Sequence, residues 1–113
     1  MILNGPVILA GESLSDGIEV GGGLVRMTMP SIWTPANITF QISTDGEGYN
    51  DLVHAQGMEF MMPVVPGSAV ILTLYADALR AIQFLKIRSG SRDFPVIQPV
   101  QTEFALTVDP AAK

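Results

Sequence analysis

Cysteine is missing from this 113-residue sequence, so no disulfide holds the fold and no thiolate can serve as nucleophile or metal ligand. Positive charge is scarce as well: six Lys and Arg stand against eleven Asp and Glu, a net charge of −5. A nucleic-acid partner, which must be met with a basic stripe, is thereby disfavoured, and so is an anionic membrane surface. The sole histidine, His54, is too few for the usual His-rich metal site. No stretch approaches the roughly 20 apolar residues that a membrane-spanning helix requires. The first ten residues carry no basic leader and are interrupted by Gly5 and Pro6, so they read as a strand, and a protein made in the cytoplasm without a signal peptide is expected.

What is there is apolar. Hydrophobic residues make up 48% of the chain and charged ones 15%, ample for the core of one domain. Six methionines include Met58, Met61 and Met62, a cluster that suits either a small core or a surface shared between subunits.

The clearest local signal is the run from Ala36 to Gly46, where Ala36, Ile38, Phe40 and Ile42 alternate with Asn37, Thr39, Gln41 and Ser43 before an Asp-Gly turn. Period-2 alternation puts one row of side chains in a core and the other in water, as in antiparallel sheets with one solvated face. Thr102, Phe104, Leu106 and Val108 alternate likewise, and Val25, Met27 and Met29 oppose Leu24, Arg26 and Thr28. Around Phe84 and Leu85 the alternation slips by one, which predicts a β-bulge there.

Glycine and proline cut the chain into short segments. Strands are expected near 2–9, 16–20, 24–30, 36–43, 49–53, 58–62, 68–74, 82–88 and 101–108, with a strand corner at Gly21 to Gly23. Ala76 to Ala81 is the only helix candidate and is too short to stand without docking. The predicted architecture is all-β, an antiparallel jelly-roll sandwich of about eight strands with at most one short helix. Residues 1–10 form an N-terminal strand or arm, 11–108 the sandwich and 109–113 a flexible tail.

Several constellations are open to a chemical reading. Gly11-Glu-Ser-Leu-Ser-Asp-Gly17, Gly48-Tyr-Asn-Asp51 and Asp51-Leu-Val-His54 resemble the blocks of SGNH lipases and esterases. That resemblance implies Ser13 as nucleophile, His54 as base, Asp51 as orienting acid and Asn50 in an oxyanion hole. The family needs a longer α/β chain, and Asp51 would have to serve two blocks, so an esterase is the remote alternative and no enzyme is expected.

The loop from Asp45 to Asp51 gathers oxygen-bearing side chains that calcium favours, but without EF-hand spacing, and Asp-Gly with Asn-Asp is ordinary turn chemistry. No cofactor or metal is expected. Asn37-Ile-Thr39 matches the glycosylation triplet but lies on a strand. Lys86 and Arg88, two apart, share the outward face of their strand, ready to meet an acidic neighbour or water. Trp33 has two readings, a core plug or an aromatic platform for a sugar, and the core is favoured because Tyr49 and Tyr75 are too few to make a strip with it.

Taken in order, Ala36-x-Ile-Thr-Phe-Gln-Ile-Ser-x-Asp-Gly46, Tyr49-Asn-Asp-Leu52 and Phe84-Leu-Lys-Ile-Arg-Ser-Gly90 resemble the discoidin-like, galactose-binding-domain-like jelly roll. Together with Ser13-Leu-Ser-Asp-Gly-Ile18, Met29-Pro-Ser-Ile-Trp-Thr34 and Pro95-Val-Ile-Gln98, the arrangement is similar to small proteins encoded among the structural genes of tailed bacteriophages and prophages, over most of residues 13–108. The resemblance implies a virion protein, a capsid decoration or cement protein or a head- or tail-fibre base component, assembling with other virion proteins and as a homo-oligomer. A carbohydrate-binding module of the same fold is the alternative. The residues singled out for interaction are Trp33, Met58, Met61, Met62, Lys86 and Arg88.

Overall fold

Alternation of apolar and polar residues dictates strands, and strands are what form. A computed structural model describes residues 1–53, 56–72, 79–80 and 82–109. Eight strands follow one another: β1 (Ile2–Ile8), β2 (Ile18–Thr28), β3 (Ile38–Ser43), β4 (Asn50–Asp51), β5 (Met61–Met62), β6 (Ala69–Ile71), β7 (Ile82–Ser89) and β8 (Thr102–Asp109). All pairings are antiparallel, and no helix occurs among the described residues. The helix candidate falls mostly on residues 76–78 and 81, outside the described residues, as do His54, Tyr75 and 110–113.

The hydrogen-bonded path runs β1-β8-β2-β7-β3-β4, with β5 on β3 and β6 on β2. β2 joins its two halves. The segment from Ile18 to Gly22 pairs with β7, whereas the segment from Gly23 to Thr28 pairs with β8 and, at its end, with β6. The two separately expected strands around the glycine triplet are therefore one strand that changes partners at Gly21 to Gly23. Gly21 has φ +64°, a conformation glycine adopts without a Cβ penalty.

Both register shifts along β2, between Glu19 and Gly22 and between Leu24 and Arg26, place the extra residue on this strand. The second shift explains why Leu24 and Met27 are both buried although three apart. The bulge expected on β7 is not there: β3 and β7 pair without interruption from Ile38↔Ser89 to Ser43↔Phe84. The slip in the sequence of β7 faces the irregularity of its other neighbour, β2.

One hydrophobic cluster draws on both halves: Phe104, Leu106 and Val108 from β8, Met27 from β2, Ile38 and Phe40 from β3, Leu85 and Ile87 from β7. Trp33 closes it, edge-on to Phe104 with ring centroids 5.8 Å apart, its Nε1–H donating to Ala36 O. Each fully buried Phe, Leu or Ile contributes about 1.5–3 kcal/mol by leaving water, so these rows hold the strands in register.

Candidate functional site

The row opposite the core on β3 was expected to face water. Asn37 does, but Thr39 is fully buried and Ser43 nearly so. The reason lies across the strand, where Arg88 pairs with Thr39 and is itself only 6% exposed. Its Nε–H donates to Thr39 Oγ1 (3.0 Å) and its Nη2 to Asp51 Oδ1 (2.8 Å) and to Glu59 Oε2. Thr39 passes its own hydrogen to Gly90 O (2.8 Å), and Gln41 Nε2 reaches the same Asp51 oxygen (3.3 Å).

A guanidinium taken from water needs such partners, and two carboxylates supply them. Burial raises the Asp51 carboxyl, but hydrogen bonds from Arg88 and Gln41 and the charges of Arg88 and Arg92 outweigh it, so the group sits below its ordinary value. Asp51 and Glu59 also border a shallow pocket of about 170 Å³ with Arg92 and Asp93. The cluster spends its hydrogen-bonding capacity on itself, which makes it a clasp between β7, β3, β4 and the segment leading into β5.

A second polar knot lies at Gln98, a fully buried side chain. Its Oε1 accepts from Thr34 N (2.9 Å), and its Nε2 donates to Thr34 O (3.0 Å) and Ser89 Oγ (2.9 Å). Its backbone donates to Glu12 O and accepts from Gly11 N. Gln98 thereby ties together the loops at 9–12, 30–36 and 90–100. Hydrogen bonds from Gly67 N to Pro30 O and from Met29 N to Ser68 O add the loop at 63–68.

These four joined loops carry Leu9, Ile32, Val65, Phe94, Ile97 and Val100, whose exposures run from 43% for Val100 to 79% for Phe94. They also hold Pro30, Pro35, Pro63, Pro66, Pro95 and Pro99, six of the eight prolines, and only three charges, Glu12, Arg92 and Asp93. An apolar surface hung on proline-fixed loops has little conformational entropy left to lose when something docks on it.

The residues singled out from sequence divide. Met58 and Met61 are exposed, at 68% and 45%. Trp33, Met62 and Arg88 are buried and present no surface: Trp33 plugs the core, Met62 pairs opposite the buried Ile38, and Arg88 is enclosed by its carboxylates. Lys86 is half-buried, its ammonium 4.5 Å from the centroid of the Tyr49 ring.

Burial of Trp33 excludes its reading as an exposed aromatic platform. The esterase set is not assembled either. Ser13 lies against Ser89 on one side of β7, and Asn50 and Asp51 lie beyond β3, about 14 Å away at the usual strand spacing. His54 is outside the described residues.

In the loop after β3, Asp45 Oδ1 accepts from Glu47 N (2.9 Å), Gly48 N (3.0 Å) and Ser43 Oγ (3.0 Å), bonds that hold its carboxyl below the ordinary range. That is an Asx turn closed on itself. Among the described residues no group of three acidic or imidazole side chains is placed to hold a metal ion.

Sequence reasoning missed Gln98, Glu59 and the apolar loop residues. A signal for the last existed: Phe94, Val96, Ile97 and Val100 stand among prolines, where a strand cannot form and apolar side chains have no sheet face to turn inward. No family model, no curated protein and no solved structure matches this chain.

Proposed function

We propose that this protein is a structural component of a tailed-bacteriophage or prophage particle, acting by protein–protein assembly. One observation carries the reading: the buried polar side chains Arg88 and Gln98 find their partners internally, while six apolar side chains, Leu9, Ile32, Val65, Phe94, Ile97 and Val100, stand exposed on proline-stiffened loops. A binding protein of this kind needs rigid apolar area rather than a reactive constellation. The ordered motifs between Ser13 and Gln98, similar to those of small phage structural proteins, supply the context in which such area is used.

The experiment is to ask where the chain goes. Mass spectrometry of density-purified particles from a producing strain is expected to find it in stoichiometric amount. Particles assembled without it are expected to take up the purified protein. Recovery solely in the soluble fraction, with no uptake by deficient particles, overturns the reading.

A further inference from the structure

We infer that the apolar loop surface is a self-docking face, taken up by a second copy of this chain across a two-fold axis. The inference rests on the assembly reading and names its first partner. Six aliphatic or aromatic side chains exposed to between 43% and 79% offer an area on the order of 600 Å², the upper end of what a free monomer leaves in water. Two such faces together bury about 1,200 Å², where stable specific interfaces begin.

Charge selects the occupant. The chain carries a net −5, so two copies repel through most of their surface, but the loops at 9–12, 30–36, 63–68 and 91–100 hold only Glu12, Arg92 and Asp93. Arg92 and Asp93 lie side by side, two-thirds or more exposed and 3.4 Å apart, immediately before the 79%-exposed Phe94. Opposite charges on neighbouring residues are what a two-fold contact needs, since each residue meets the other's counterpart: Arg92 of one copy faces Asp93 of the second, and the reverse. Phe94 then sits beside the axis as the aromatic anchor. Within one copy the Arg92 side chain is engaged only by its exposed neighbour Asp93, a pair that the two-fold contact exchanges between copies, while Glu59 holds the Arg92 backbone N–H.

Sedimentation of the full chain over a wide concentration range is expected to show a species of twice the 12.1 kDa chain mass. Phe94→Glu is expected to weaken the association by at least about tenfold. Arg92→Asp and Asp93→Arg, both at exposed positions, are each expected to lose self-association while mixing the two variants restores a pair, because each supplies the charge the other lacks. Thermal transitions matching the unaltered chain confirm that the variants fold. A monomer at every concentration, or a dimer that survives Phe94→Glu and both charge changes, overturns the inference. A monomer that nonetheless adds to deficient particles overturns it while leaving the assembly reading in place.

Discussion

Arg88 is the side chain whose enclosure acid undoes, by protonating Asp51 while the guanidinium keeps its charge. It is enclosed by Asp51 and Glu59, and the Asp51 carboxyl is held below its ordinary value of 3.8 by the guanidinium and by Gln41, against the opposing effect of its own burial. A carboxyl with a lowered folded-state pKa contributes stability that is present above the unfolded-state value and disappears as pH falls through the folded one. The contribution of Asp51 is therefore complete at neutral pH and lost below about pH 4. Arg88→Ala leaves two carboxylates facing each other without their cation, and its cost at neutral pH is expected to be about 3–5 kcal/mol. Asp51→Asn is expected to lower stability at neutral pH and to flatten the decline toward about pH 3. Urea midpoints measured at both pH values check this; an acid decline equally steep in Asp51→Asn would remove Asp51 as its source.

At the scale of elements, two glycines separate backbone strain from steric overlap. Gly21, at the partner change in β2, has φ +64° and nothing within 4 Å of where a Cβ would stand. Gly90, at the end of β7, has φ +87°, and a Cβ there would lie 2.4 Å from Phe94 O and 2.8 Å from Val96 N. Gly21→Ala is expected to cost about 1–2 kcal/mol, the left-handed penalty alone. Gly90→Ala is expected to exceed about 3 kcal/mol because the loop that carries Phe94 must move as well. Denaturant midpoints for the two variants check the ranking, and equal costs would contradict it.

The same elements mark what a reader of the sequence can and cannot see. β3 and β8 were legible because alternation is strict over Ile38–Ser43 and Thr102–Asp109, although only β8 buries a single face as it dictates. The bulges of β2 were not, because a register shift depends on the partner strand and leaves only a broken period, which in β7 pointed to the wrong strand. The polar row of β3 read as solvated because nothing local says that Arg88 and Glu59 will cover Thr39. Of the interaction residues, Met58 and Met61 do stand exposed and Trp33 fills the core as its favoured reading had it, whereas Met62 and Arg88 turned inward on the strength of neighbours far away in sequence.

For the whole molecule, the balance between apolar attraction and like charge sets how association should respond to salt. Two chains of net −5 repel over distances that a Debye length of about 8 Å at physiological ionic strength only partly screens. The loop surface carries few charges, so docking through it gains mostly from apolar burial, which added salt does not weaken. Exposed rim pairs such as Arg92 with Asp93 fix orientation and contribute roughly 0–1 kcal/mol of affinity each. Raising the salt concentration is therefore expected to tighten self-association, several-fold between low and physiological ionic strength. An interface made of the polar outer face, with Lys86 meeting acidic residues of a neighbour, would loosen instead. Sedimentation of the unaltered chain across a salt series distinguishes the two: a dimer that dissociates as salt rises would move the contact from the loops to the polar face around Lys86.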